Sequence, residues 1–302
     1  MYGSTEKLYA VIICRILIQV TAAIYSIIDI LKHCHILFKL DIWKYIFGST
    51  LPLLINIIAL RIVQRADYRV IFEKCSSSDL AIYSFAYSLT NLLYIFSDAF
   101  DNTLSPMVTH ALSSKSFGGL KKESKVLLIL FCGIGICLCM ICPEVVAVLG
   151  TKDYYESVFC IMPLVMGLII EFITNLLIYT LVFYGCNKMI TFASVLVATL
   201  NVSLNLIFVP IFGFIAAAYT TLASYLAYLF IVIIFYTYTS NKNVTKVFDL
   251  KFICCLLLGC AILVCCGIAF VERPILRLIM LMFLMIYICI KGIELIRKNT
   301  NG

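Results

Sequence analysis

The chain has 302 residues, of which 63% are hydrophobic and only 13% are charged, and its mean hydropathy is +1.08. A soluble domain is about half apolar and about a quarter charged, and a water-soluble globule of this length has no interior large enough for so much apolar surface. The composition excludes a soluble enzyme, a nucleic-acid-binding protein and a disordered chain. It favours a polytopic membrane protein.

Nine stretches of the sequence are long and apolar enough to cross a bilayer, for which a helix needs about 20 residues. In chain order they are 8–31, 44–66, 80–107, 124–149, 158–184, 188–211, 213–239, 250–270 and 275–295. Each run is continuously apolar and does not alternate, which argues against a β-barrel. The sequence therefore predicts an all-α, polytopic transmembrane helical bundle.

The net charge of +7 is distributed unevenly between the predicted loops. If the C-terminus is cytoplasmic, most Lys and Arg residues fall on the cytoplasmic side, as the positive-inside rule requires. Nine spans then put the N-terminus outside, which suggests that earlier spans are missing. The 15 cysteines lie mainly within apolar runs and the three histidines are scattered, so we expect no metal site and no cofactor.

Arginine residues within the predicted spans are the first candidates for function. Arg15 lies deep in the first span, and Arg61 and Arg65 lie four residues apart in the second, on one helical face. A charge at the bilayer centre costs roughly 3 kcal/mol, so such residues usually face a protein interior or a watery cavity. Guanidinium groups bind phosphate in a bidentate manner, which favours an anionic ligand. The alternatives are snorkelling to the interface and structural pairing with a carboxylate.

Other polar residues follow a helical spacing within the later spans. The third span carries Ser84, Ser88, Asn91, Asp98, Asn102 and Ser105. This stripe predicts a cavity wall, with Asp98 as an ion or proton site. Glu171 lies in the middle of the fifth span, and Asn201 and Asn205 lie four apart in the sixth. Hydrogen bonding between helices is the alternative for these groups.

Two longer strings of sequence resemble a known family. The first has two parts: one runs from Leu51-Pro52 to Ala66-Asp67-Tyr68-Arg69, and the other is 78–87. The second string is 200–221. They are similar to motifs of the O-antigen and exopolysaccharide flippases of the MOP (MATE-like) superfamily. Ala81 and Ala216 stand where that family usually has glycine, and Tyr68 separates the Asp and Arg that the family places side by side.

The resemblance covers about residues 40–240 and implies a helical bundle of two lobes around a central cavity. It implies an N-terminally truncated member with a one-span remnant of the first lobe (1–43), a six-span second MATE-like lobe (44–240) and a C-terminal helix pair (241–302). The implied function is flipping of polyprenyl-pyrophosphate-linked oligosaccharides across the bacterial cytoplasmic membrane, for surface polysaccharide such as O-antigen.

These considerations give each candidate residue an expected role. Arg15, Arg61 and Arg65 would bind pyrophosphate. Sugar hydroxyls would be bound by Asn91, Asn102, Asn201 and Asn205. Asp98 or Glu171 would couple transport to H⁺ or Na⁺.

We expect no catalytic residue and no enzymatic activity. The expected partners are the lipid-linked oligosaccharide, membrane lipids and polysaccharide polymerase machinery, and not nucleic acid. Three alternatives stay open: a MATE-like cation or multidrug antiporter, a membrane-embedded polysaccharide polymerase, and an inactive truncated remnant.

Overall fold

The computed structural model describes residues 2–33, 39–242 and 247–286, and all regular secondary structure within these ranges is helical. The helices are α1 (Tyr2–His33), α2 (Leu40–Lys74), α3 (Ser77–Ser114), α4 (Gly118–Leu149), α5 (Ser157–Phe183), α6 (Asn187–Phe212), α7 (Ile215–Lys242), α8 (Leu250–Ala269) and α9 (Pro274–Ile286). A short 3-10 turn, Lys152–Tyr154, joins α4 to α5. The predicted all-α class is confirmed.

Helices α1 to α8 are each long and apolar enough to span a bilayer, which makes the chain a multi-pass membrane protein. The ninth predicted span, 275–295, starts within α9, and its end lies outside the described residues together with the C-terminus. The cytoplasmic position of the C-terminus stays a prediction.

The largest differences from the predicted spans are at the C-terminal ends of α2 and α3 and at the N-terminal ends of α1 and α4. The second span was expected to end at residue 66, but α2 continues to Lys74. Arg, Gln, Lys and Glu are good helix formers, so a helix can continue beyond its apolar stretch. A capping box then starts α3: the Ser76 hydroxyl accepts from the Asp79 amide at 3.1 Å, and the Asp79 carboxylate accepts from the Ser76 amide at 2.9 Å.

The chain divides into two compact units, residues 1–51 and 52–302. The first unit contains α1 and the beginning of α2. In the second unit α5 is the central helix and contacts α3, α4, α7 and α8. The division predicted at residues 43/44 and 240/241 stays a prediction.

Small residues let the neighbouring helices approach α5 closely. A Cβ atom on Gly135 of α4 would lie 2.9 Å from Ile169 Cδ1, and one on Gly167 of α5 would lie 3.2 Å from the Tyr225 ring of α7. Close approach through small residues is how membrane helices gain packing energy, since lipid provides little hydrophobic drive between them.

Two polar contacts attach the C-terminal helices to α4. Arg277 of α9, which is 2% exposed, donates to both Glu144 oxygens at 2.7 and 3.1 Å and to the Met140 carbonyl at 2.7 Å. Near the other end of α4, Lys125 donates to Asp249 at 3.0 Å. Asp249 also caps α8, because its carboxylate accepts from the Phe252 amide at 3.3 Å.

Candidate functional site

A polar cavity of about 310 Å³ lies between α2, α3 and α5 in the second unit. Each of these helices contributes polar side chains from one face, at spacings of three, four or seven residues. The polar lining residues are Arg61, Gln64 and Arg65 of α2, Asn91, Ser97, Asp98 and Asp101 of α3, and Glu171 and Asn175 of α5. The cavity is therefore a charged site among helices of membrane-spanning length.

A chain of hydrogen bonds connects α2 to α5 along this cavity. Arg61 Nη1 donates to Gln64 Oε1 at 3.1 Å, and Gln64 Nε2 donates to Glu171 Oε1 at 3.4 Å. The Tyr94 hydroxyl of α3 donates to Glu171 Oε2 at 2.7 Å and accepts from Gln64 Nε2 at 3.0 Å. Because Glu171 is only 6% exposed, these bonds replace its hydration and fix the orientation of its carboxyl group.

The other charges of the cavity are not paired with one another. Arg65 lies over the Tyr68 ring, 5.6 Å from its centroid. Asp98 and Asp101 lie one turn apart on α3, and the buried Asp101 Oδ1 has no hydrogen-bond partner in the described part of the chain. No ion pair found there joins an arginine of the cavity to one of its carboxylates. Groups of both signs are therefore available to a ligand.

A second polar cluster surrounds Asp67, whose side chain is fully buried. Its carboxylate accepts from Asn205 Nδ2 at 2.6 Å, from Thr221 Oγ1 at 2.8 Å and from the Tyr83 hydroxyl. Asn201 extends the cluster, since its Nδ2 donates to Thr221 Oγ1 at 3.2 Å and its Oδ1 accepts from Asn205 at 3.3 Å. This Asp67 cluster joins α2, α3, α6 and α7.

The hydrogen-bond partners of Asp67 are all neutral. Thr220 completes the group by donating to Asn205 Oδ1 at 2.5 Å. Hard cations prefer oxygen ligands such as carboxylates, amide carbonyls and hydroxyls. The Asp67 carboxylate is buried, with no cation among its hydrogen-bond partners in the described ranges.

The structure distributes the predicted site residues among four locations. Five of them line the cavity: Arg61, Arg65, Asn91, Asp98 and Glu171. Asn201 and Asn205 belong to the Asp67 cluster. Asn102 is exposed on α3 and is not among the lining residues, because its neighbour Asp101 takes the inward position. Arg15 is exposed on α1 in the first unit. The functional roles of all these residues stay predictions.

The sequence analysis missed the roles of Gln64, Tyr94 and Asp67. Gln64 lies between Arg61 and Arg65 at a spacing that places all three on one face of α2, so helical periodicity alone could have identified it. Asp67 follows the predicted end of the second span at residue 66, whereas it lies within α2 and is buried. The missing signal was the continuation of the helix.

Charged groups that line a cavity between membrane-length apolar helices are typical of proteins that move polar solutes through a bilayer. The fold and the cavity together define a polytopic helical membrane protein with a charged cavity. Residues 52–207, just over half of the chain, match the MatE family. The chain belongs to this family and thereby to the MOP superfamily, as the sequence motifs predicted.

Three solved structures share the fold. The lipid II flippase MurJ in an inward closed conformation has a TM-score of 0.63 at 14% identity, over 90% of this chain and 59% of that chain. An outward-facing multidrug resistance MATE family transporter has a TM-score of 0.53 at 22% identity, over 62% of this chain and 44% of that chain. A MOP superfamily transporter from Pyrococcus furiosus, described as having a binding pocket of reverse polarity, has a TM-score of 0.50 at 22% identity, over 62% of this chain and 43% of that chain.

These likenesses establish the fold, since all three identities are below 25%. No curated protein sequence matches the chain. The chain spans between 43% and 59% of the length of the three solved structures.

Proposed function

We propose that this chain takes part in flipping polyprenyl-pyrophosphate-linked oligosaccharides across the bacterial cytoplasmic membrane for surface polysaccharide synthesis. The observation that carries the proposal is the pair Arg61 and Arg65, which line a cavity among membrane-length helices. Moving a pyrophosphate and sugar hydroxyls through hydrocarbon without compensating bonds costs many kcal/mol. A cavity with guanidinium groups lowers that cost, because these groups form charge-assisted, bidentate hydrogen bonds to phosphate oxygens.

In this proposal the cargo is divided between the cavity and the lipid. Arg61 and Arg65 hold the pyrophosphate, and a role for Arg15 of the first unit rests on the sequence alone. Asn91 and Asn175 line the same cavity and bind sugar hydroxyls. The prenyl tail stays in the lipid, where its apolar surface needs no polar partner. Membrane lipids and polysaccharide polymerase machinery are the proposed partners.

Transport against a gradient needs an energy source, and we propose that a bound H⁺ or Na⁺ provides it. Asp98 and Glu171 remain candidate ion sites from the sequence. The buried Asp67 cluster is proposed as a third candidate site, because it contains several oxygen atoms. One charge moving through 100 mV supplies about 2.3 kcal/mol. A thermal shift with NaCl that KCl does not reproduce, and that Asp67→Asn abolishes, would support sodium at this cluster. An equal shift with both salts would exclude it.

The direct test of the proposed function is a flipping assay. The purified chain is reconstituted into liposomes that contain a fluorescent prenyl-pyrophosphoryl saccharide, and dithionite reports how much probe changes leaflet. We expect the wild-type chain to flip the probe and the double variant Arg61→Gln, Arg65→Gln to lose at least about 90% of the rate. Arg69→Gln is the matched control, since Arg69 lies on the same helix, is 73% exposed and pairs with Glu73. No flipping by the wild-type chain would refute the proposal.

The second candidate function is a MATE-like cation antiporter. It is favoured by the three carboxylates in the cavity: Asp98, Asp101 and Glu171. An antiporter of this kind should exchange ethidium for H⁺ or Na⁺ in the same proteoliposomes, and Asp98→Asn should reduce that exchange. Ethidium exchange without pyrophosphate flipping would favour the antiporter over the flippase.

A further inference from the structure

The cavity holds carboxylates that pyrophosphate binding does not explain. Glu171 is fixed by hydrogen bonds from Tyr94 and Gln64, whereas Asp98 is exposed to the cavity. Tyr179 and Asn175 of α5 interact with the Asp101 carboxyl group through side-chain hydrogen bonds, but one of its oxygens, the buried Oδ1, has no hydrogen-bond partner among the described residues. A buried acceptor without a partner is costly, which indicates that a donor is supplied from elsewhere.

Charges of opposite sign occupy different walls of the cavity. Arg61 and Arg65 belong to α2, whereas Asp98 and Asp101 belong to α3. Within the described ranges, no ion pair connects the two walls. A ligand with negative charge alone would gain from the α2 wall and be repelled by the α3 wall, and like charges in contact oppose binding strongly. A ligand with both signs would satisfy both walls.

We propose that the transported molecule is zwitterionic, with a free amino group on the saccharide that carries the pyrophosphate. Asp98 and Asp101 bind this ammonium group while Arg61 and Arg65 bind the pyrophosphate. The proposal rests on the proposed function and specifies its substrate class. The cavity volume of about 310 Å³ is at the lower end of the roughly 300–1,000 Å³ of ligand pockets. It suits a pyrophosphate with its first sugar, so the amino group belongs on that sugar.

The test compares two probes that differ by one acetyl group. They are farnesyl-pyrophosphoryl glucosamine, which has a free amine, and farnesyl-pyrophosphoryl N-acetylglucosamine, which does not. Dissociation constants are measured on the purified full chain in detergent. We expect the amine to bind about tenfold more tightly, the effect of one additional charge-assisted hydrogen bond. The double variant Asp98→Asn, Asp101→Asn should remove this preference, and it should strengthen binding of the acetylated probe because the carboxylates that repel its pyrophosphate are gone. Asp153→Asn, an exposed acid on the 3-10 turn, is the matched control.

Each remaining outcome overturns the proposal in a distinguishable way. Equal affinity of the wild-type chain for both probes refutes the zwitterionic cargo but leaves the proposed function intact. A preference that persists in the double variant refutes the assignment to Asp98 and Asp101. If neither probe binds, the pyrophosphate site is wrong and the proposed function fails with it. If farnesyl-linked glucosamine without pyrophosphate binds as tightly as the full probe, the cavity recognises a cation alone, as an antiporter would.

Discussion

Replacing Asp67 by alanine should destabilise the helix bundle by about 3 kcal/mol. The substitution leaves the donors of Asn205, Thr221 and Tyr83 without an acceptor in a fully buried site. Hydrogen bonds between membrane helices contribute about 0.6 kcal/mol on average and up to about 1.7 kcal/mol. A buried donor left unsatisfied costs about 1–3 kcal/mol. Three such donors, partly rescued by local rearrangement, give the expected value.

Asp67→Asn should lower the free energy of unfolding much less than Asp67→Ala does. Its carbonyl oxygen can still accept from Tyr83 and Thr221, and the main conflict is between its amide and that of Asn205. We expect a loss of about 1 kcal/mol, the usual contribution of a single hydrogen bond. The comparison separates the loss of hydrogen-bond acceptors from the loss of charge.

The assay is reversible unfolding from mixed micelles by sodium dodecyl sulfate, followed by circular dichroism. Asp153→Ala is the control and should change the free energy of unfolding by less than about 0.5 kcal/mol, because Asp153 is exposed. A double-mutant cycle with Asn205→Ala should give a coupling energy of about 1 kcal/mol. A loss of less than about 1 kcal/mol in the free energy of unfolding for Asp67→Ala would refute the proposed hydrogen bonding of the Asp67 cluster. Equal losses for the alanine and asparagine variants would also refute it.

Three further predictions concern how the helices are held together, and each is checked by the same unfolding measurement. Arg277→Leu removes a buried bidentate ion pair with the half-exposed Glu144. It should lower the free energy of unfolding by about 1–3 kcal/mol, which is less than breaking a fully buried pair costs. An unchanged free energy of unfolding would contradict a role of Arg277 in attaching α9. The Lys125 ammonium and the Phe252 amide hold the pKa of Asp249 below its usual value. Its stabilising effect is therefore complete above the ordinary aspartate pKa of about 3.9 and is lost as the pH falls through the lower folded-state pKa; Asp249→Asn should remove this acid-dependent part of the stability. Gly135→Ala should lower the free energy of unfolding by about 1–2 kcal/mol, because the new methyl group meets Ile169. Gly259 has open space around it, so Gly259→Ala should be neutral or stabilising. Equal effects of the two substitutions would contradict close packing at Gly135.

Much of the fold follows from hydropathy because a bilayer requires long apolar helices. The eight spans of the structure lie where continuous apolar runs predicted them, and they differ mainly where helices continue into polar sequence. Helical spacing predicted that Arg61 and Arg65 share one face and that Asn91 and Asp98 share another, and these four residues line one cavity. One local rule, the periodicity of a helix, was enough for these side chains.

The Asp67 cluster depends on contacts that no local spacing encodes. Asp67 meets Asn205 and Thr221, which are 138 and 154 positions away in the chain. The sequence identified Asn201 and Asn205 as a polar pair but could not show that they face a carboxylate on α2. Asn102 does not line the cavity for a different reason: successive helix residues point about 100° apart, and Asp101 already faces the cavity.

The most direct test of the central claim is the affinity of the chain for farnesyl pyrophosphate, measured by isothermal titration calorimetry in detergent. We predict that the double variant Arg61→Gln, Arg65→Gln binds at least about tenfold more weakly than the wild-type chain, because each charge-assisted hydrogen bond contributes about 1.5–3 kcal/mol and 1.4 kcal/mol is a factor of ten. Arg69→Gln should bind as the wild type does, and farnesol should bind all three proteins equally. The same dissociation constant for the wild type and the double variant would contradict the claim that these arginines recognise a phosphorylated cargo.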